Sequence, residues 1–323
     1  MSCVYLKCIL KYDFERGVLD LNANKLLMRR GKVKGKIMMN CISKIKEAIL
    51  MEIDCHLPKE LAHSRIYYRV HKKWPNLICP ETYDEYIQWL MVNVYDESYS
   101  KYADKLEVRK YVKACGLGDL LIPVFGTYKR ANEIDYDALP NEFVLMTNHG
   151  SGEEYYVICT DKSKLDKDKT NRKLNAALKK HFWKRLCEYQ YKNIPPRILC
   201  MKYLKLPGSD RLTDYKVVCI NGKATRILVC TERNEGRDYY STDWKYLDHV
   251  FPQYRSGELL ERPKCLEQML QAAERLSAPF PLARIDFYEV MGKLYFGEIT
   301  LTPSAGCHKN LNEKGQLEWR ERL

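Results

Sequence analysis

Four residues near the C-terminal end have the spacing of a chemical site. Arg284 and Asp286 lie two apart in one strand-like run, and Glu298 and Thr300 lie two apart in the next. Side chains alternate along a strand, so each pair shares a face. The two runs flank Met291-Gly292, a hairpin signal that folds both pairs onto one surface. Two carboxylates, a hydroxyl and a guanidinium suit a hard cation beside a phosphate. Mg²⁺ is typically held by one or two carboxylates plus phosphate oxygens, and the arginine fork matches phosphate geometry. Arg-x-Asp alone would be an ordinary exposed ion pair. The run from Gly297 to Gly306 changes the balance, because it ends the strand in a polar loop of phosphate size.

Two further elements suit the same ligand. Asn148-His149-Gly150-Ser151-Gly152 separates the strand-like runs 142–146 and 155–159, and backbone N–H groups of such a turn can cover phosphates. A strand follows the glycines rather than a helix, which excludes a Rossmann or Walker site. His149 is a turn histidine and is assigned no role. Asp104-Lys105 opens a predicted helix with Arg109 four residues on; a lysine there suits a nucleotide phosphate, but standing alone the segment reads as an ordinary solvated first turn.

Helical spacing dominates residues 58–114, with helices expected near 58–74, 81–95 and 102–115, the last ended by Gly116. Beyond Gly116 strands take over. The spacing predicts strands over 120–128 and 197–204, and hairpins around Asn221-Gly222 and Met291-Gly292. Helices are expected over 170–187 and 264–277. The pattern is that of an α+β chain, helical at the front.

The 323 residues are 46% hydrophobic and 30% charged, which excludes wholesale disorder. No apolar run reaches membrane-spanning length, and charge interrupts the N-terminus too early for a signal peptide. Thirteen cysteines include no Cys-x-x-Cys pair, so a reducing cytoplasm is expected and structural zinc is not. The net charge of +12 is concentrated. Residues 1–50 hold eleven Lys and Arg against four Asp and Glu, and residues 162–185 hold ten against two. Such blocks suit nucleic acid, a polyanionic substrate or peripheral contact with an anionic membrane surface, while on charge alone a solvated tail and a solvated helix face are the preferred reading. No nucleic-acid reading module is recognisable, so no nucleic-acid partner is expected. Asp135-x-Asp137 and Asp166-x-Asp168 match the metal motif of many glycosyltransferases, but both fall in polar turns.

Several blocks in order resemble the TupA-like ATP-grasp family over roughly residues 57–309. They are Tyr86 to Leu90, Asp104 to Val112, Ile122-Pro123, Leu139 to Leu145, Asn148 to Gly152, Glu188 to Ile194, Asp214-Tyr215-Lys216 with Asn221-Gly222, and Arg284 to Gly306. The closing segment is also similar to the end of D-alanine–D-alanine ligases, where Asn usually stands in place of Thr300.

The resemblance implies an ATP-grasp fold of two α+β lobes gripping ATP. It divides the chain into a basic, poorly organised arm (1–56), a helical region (57–140), a small lobe with the glycine-rich flap (141–204) and a large lobe with the Mg²⁺ site (205–323). It implies a cytoplasmic ATP- and Mg²⁺-dependent ligase that activates a carboxylate as an acyl phosphate for attack by an amine. The substrate would be a sugar acid or glycan precursor of cell-surface polysaccharide, capsule or teichuronopeptide synthesis. The implied metal ligands are Asp286, Glu298 and Thr300. Arg284 and Lys216 take catalytic roles, and Lys105, Asn148, Gly150, Ser151, Gly152, Tyr203 and Leu204 bind the nucleotide. Met146 and Met201 stand where the family usually has a phosphate-binding Lys and an adenine-hinge Glu. Methionine carries no charge and donates no hydrogen bond. A glycosyltransferase and a nucleotide-binding pseudo-ligase are therefore the alternatives.

Overall fold

The computed structural model describes residues 10–13, 18–21, 45–206, 212–232 and 235–319. The chain forms two compact units. The first comprises Met1–Trp74 with Lys184–Cys187, and the second Pro75–Trp183 with Glu188–Leu323.

In the first unit, β1 (Leu10–Asp13) pairs antiparallel with β2 (Val18–Leu21). Residues 45–55 are helical (α1), and α2 follows over Lys59–His71. The expectation of a poorly organised arm up to residue 56 therefore fails over α1, while most of residues 1–44 lie outside the described residues. At the end of α1, Asp54 is 1% exposed. It accepts a 2.9 Å hydrogen bond from Arg65 Nε and another from Arg69, one turn further along α2. Breaking a buried ion pair by removing one partner costs about 3–5 kcal/mol. Asp54→Ala should accordingly lower the denaturant midpoint by several kcal/mol equivalents of stability. A loss under about 1 kcal/mol, within the range of a surface pair, would show that the pair contributes little.

The second unit holds two antiparallel sheets. The smaller has the order β3 (Val124–Tyr128), β6 (Ile198–Lys202), β4 (Phe143–Thr147), β5 (Tyr156–Cys159). The larger has the order β10 (Tyr246–Leu247), β9 (Glu235–Tyr240), β8 (Lys223–Glu232), β7 (Asp214–Ile220), β11 (Leu282–Val290), β12 (Lys293–Thr300). Both predicted hairpins form. Their turn residues, Asn221-Gly222 and Met291-Gly292, all have left-handed φ between 48° and 73°, as two-residue turns that match strand twist require.

Alternation divides each sheet into a packed face and an open face. On the small sheet Phe143, Leu145, Cys159 and Cys200 join Leu174 of α5 (Lys167–Leu178) in one buried cluster. Val144, Met146, Tyr156, Ile158 and Met201 belong to the opposite face. On the large sheet α6 (Leu266–Ser277) packs against β7, β8 and β11 through Met269, Ala273 and Leu276.

Three boundaries differ from the sequence expectation. The strand expected from residue 120 begins at Val124, after Pro123, which has no N–H for a ladder. The helix expected over 81–95 forms as α3 (Tyr83–Asn93), but the one expected over 102–115 is a single turn, Ser100–Ala103, followed by α4 (Val108–Ala114). Asp104 separates them by accepting from Leu106 N at 2.8 Å, a side-chain turn that competes with helix. The helix expected to reach residue 187 ends at Leu178.

Candidate active site

The register of the last hairpin sets Arg284 opposite Thr300 and Asp286 opposite Glu298. A bulge follows Asp286, where Phe287 pairs with Phe296 and Gly297 is left over. Bulges re-aim neighbouring side chains, and the residue re-aimed here is Glu298. On the other side of β11, Asp286 faces Lys216 of β7.

These residues form a continuous polar network. Arg284 forks onto Asp286, with Nε 2.7 Å from Oδ1 and Nη2 2.8 Å from Oδ2. Its Nη2 also donates to Thr300 Oγ1 at 3.1 Å. Thr300 Oγ1 in turn donates to Glu298 Oε1 at 3.2 Å. Lys216 Nζ lies 2.6 Å from Asp286 Oδ2 and 3.4 Å from Asp214 Oδ2. Lys105, in the turn before α4, reaches across from the other side. Its Nζ is 3.1 Å from Glu298 Oε2 and donates to the Gly150 carbonyl at 3.1 Å.

Burial opposes ionisation of Glu298, but Lys105, Arg284 and Lys216 outweigh it and hold the carboxyl down at about 2. Glu298 is thus a carboxylate throughout the neutral range. Its contribution to stability is complete above its ordinary value of 4.5 and is lost as pH falls towards 2. Burial raises Asp214, with Asp286 adding to the effect and Lys216 opposing it. Burial works against the Lys216 ammonium, yet Asp286 and Asp214 keep its pKa above the ordinary value.

Opposite this network stands the open face of the small sheet. Between them lies a cavity of about 760 Å³. Its polar wall carries Lys105, Lys216, Asp214, Asp286 and Glu298, and its apolar floor carries Val144, Met146, Ile158 and Met201. Tyr203 and Leu204 line it beyond the end of β6, and Gly150, Ser151 and Gly152 line it from the flap. Gly150 is dictated by contact, since a Cβ there would sit 2.3 Å from a ring carbon of Tyr155.

Three of the expected site residues do not line the cavity. Arg284 and Thr300 lie beneath the carboxylates and act on them through the hydrogen bonds above. Asn148 is 1% exposed and ties three segments together. Its Nδ2 donates to Asp104 Oδ1 at 2.9 Å and to the Pro195 carbonyl at 3.0 Å, and its Oδ1 accepts from Arg197 N at 2.7 Å. Asn148 therefore fixes the base of the flap. His149 is buried, with Nε2 3.2 Å from the Lys180 carbonyl and its ring edge-on to Tyr155. Asp135 and Asp166 accept from backbone N–H groups of their own turns, and Asp137 pairs with exposed Lys167. Neither Asp-x-Asp motif lines this cavity. Asp214 was not expected at the site. Its signal was its place two residues before Lys216, on the same strand face.

The donor set fits a divalent cation shared with phosphate. Asp286 and Glu298 supply hard carboxylate oxygens from adjacent strands, with the Thr300 hydroxyl behind them. Among the described residues no cluster of three or more His, Cys, Asp and Glu is placed to hold a metal. Phosphate and water oxygens would complete the coordination, as is usual for Mg²⁺. Lys105 and Lys216, which neutralise the carboxylates here, would turn to the phosphates.

The TupA-like ATPgrasp family model matches residues 85–319. No curated protein matches the sequence. Solved structures of similar fold include the D-alanine–D-alanine ligase of Bacillus anthracis, at 16% identity and a TM-score of 0.41, covering 68% of this chain and 61% of the ligase. The L-amino acid ligase of Bacillus licheniformis matches at 13% identity and 0.40, covering 77% of this chain and 49% of that protein. Phosphoribosylamine–glycine ligase of Thermotoga maritima matches at 10% and 0.38, covering 63% and 48%. The chain thus spans about three fifths or less of the length of these ligases. No described helix is long and apolar enough to cross a membrane.

Proposed function

Because the chain belongs to the TupA-like ATPgrasp family and has the ATP-grasp fold, we propose that it is an ATP- and Mg²⁺-dependent carboxylate–amine ligase acting on a sugar acid or glycan precursor. The supporting observation is the cavity between the two sheets. It opposes an apolar floor, suited to a purine, to a wall that carries Lys105 and Lys216 with the three carboxylates of Asp214, Asp286 and Glu298, suited to a metal-bound triphosphate.

The reaction follows from charge. A substrate carboxylate oxygen attacks the γ-phosphorus, and the bond to the β-phosphate oxygen breaks, releasing ADP. Lys105 and Lys216 face the charge that develops on the phosphoryl oxygens, and Arg284 fixes Asp286 from below. Mg²⁺, when bound by Asp286 and Glu298, supplies Lewis-acid neutralisation of the phosphates. An amine then attacks the acyl carbon of the acyl phosphate and inorganic phosphate leaves. ADP release should require both a carboxylate and an amine, hydroxylamine serving as the surrogate amine with hydroxamate as product. Mg-ATP binding without ADP release under any carboxylate would favour the pseudo-ligase. Met146 on the cavity floor is the observation behind that second reading.

A further inference from the structure

A second cavity of about 830 Å³ opens on the same side of the large sheet, and Thr231 of β8 lines both. Arg237 of β9 forms part of its wall. In the sheet, Arg237 pairs with Cys230, Cys230 pairs with Asp214, and Asp214 pairs with Tyr288. These four form one row on one face. With about 4.8 Å between strands, Arg237 stands about 10 Å from Asp214, which lines the first cavity.

The lining is polar and basic. It includes Arg237, Arg255, His308 and Lys309 with one acidic residue, Glu258, and the neutral polar groups of Ser304, Asn310 and Tyr254. Arg255 is neutralised by Asp248. Arg237 is different: its Nη1 donates to the neutral Asn310 Oδ1 at 3.3 Å, and no described carboxylate pairs with it. His308 is fixed at the wall by the fully buried Asp84, with Nδ1 2.6 Å from Oδ1 and the backbone N–H donating to Oδ2 at 2.9 Å. A half-buried arginine with only an amide partner is a ready anion receptor.

We propose that this second cavity binds a polyhydroxylated substrate bearing an anionic oxyacid group, a carboxylate or a phosphate ester, with Arg237 as the recognition residue. The assignment rests on the ligase reading for its role as the substrate compartment, but not for its chemistry. The hydroxyl and amide side chains meet the sugar-like hydroxyls, and the arginine fork meets the oxyanion.

The test is calorimetric titration of the full chain with D-galacturonate, galactose 1-phosphate and neutral galactose, alongside a separate titration with Mg-ATP. At least one anionic probe should bind the wild-type protein, and galactose should bind at least tenfold more weakly. Which anion binds better identifies carboxylate or phosphate. Arg237→Gln should weaken the anionic probe roughly ten- to a hundredfold, the range for a charge-assisted hydrogen bond, with Mg-ATP affinity unchanged. Arg237→Lys, which keeps charge without the fork, should fall between, and its melting temperature guards against a misfolded glutamine variant. Anionic probes that fail to bind the wild type, or that bind Arg237→Gln equally well, overturn the proposal. Probe binding through Arg237 without Mg-ATP binding would leave the site standing and overturn the ligase reading instead.

Discussion

Glu298→Gln is expected to remove the Mg²⁺ dependence of nucleotide binding and to cut ligase turnover roughly a thousandfold. Metal neutralisation of a transferring phosphoryl group contributes several kcal/mol, and each ~1.4 kcal/mol is a decade. Glu298 is one of the two carboxylates, and its side chain is 30% exposed, so its replacement leaves no deeply buried charge alone. ATP affinity measured in EDTA should hold or rise, because Lys105 loses its anionic partner and is freed for phosphate. Asp286→Asn should behave differently. Asp286 is 6% exposed and holds both Arg284 and Lys216, so its loss should also cost about 3–5 kcal/mol of stability. Titrations with and without Mg²⁺, read beside melting curves, separate the two variants. A Glu298→Gln protein that binds Mg-ATP like the wild type would remove Glu298 from the metal site.

Met146→Lys has the second largest expected effect. Met146 is half-buried on β4, between Tyr156 and Leu199 in the ladder, and it lines the first cavity. A lysine here extends over the floor towards the phosphate wall instead of into the packed face. One charge-assisted phosphate contact is worth about 1.5–3 kcal/mol, so ATP should bind roughly ten- to a hundredfold more tightly. Turnover should rise with it. Lys202 lines the same cavity. If Lys202 already meets the phosphates, the new charge meets a like charge and affinity falls. A lower melting temperature with unchanged affinity would show that the side chain at 146 does not reach the nucleotide.

Much of this site was legible because alternation and hairpin turns are local properties. Arg284, Asp286, Glu298 and Thr300 needed only a period of two and a glycine turn to meet. The open face of β4 was equally readable, with Val144 and Met146 separated from Phe143 and Leu145. The remainder depended on contacts distant in sequence. Nothing local joins Lys105 to Glu298, or Asn148 to Pro195. Asp104 reads as an ordinary first-turn residue until its side chain is seen to end one helix before the next. Arg237 carried no signal, because its significance is the absence of a described acidic partner in a particular row of a particular sheet.

The Lys105 ammonium joins the Gly150 carbonyl to Glu298 and so makes one bond in common between flap and sheet. On the proposed reading of the cavity as a nucleotide site, that bond gives ionic strength two opposite effects on nucleotide entry. Salt screens the attraction of a polyanion to a basic wall and slows encounter. The same salt weakens the partly exposed Lys105–Glu298 pair and eases release of the flap. Where release limits entry, association speeds up with salt. Where diffusion limits it, association slows. The ionic-strength profile of the association rate would thus reveal which of the two events governs admission to the cavity, without any change to the sequence.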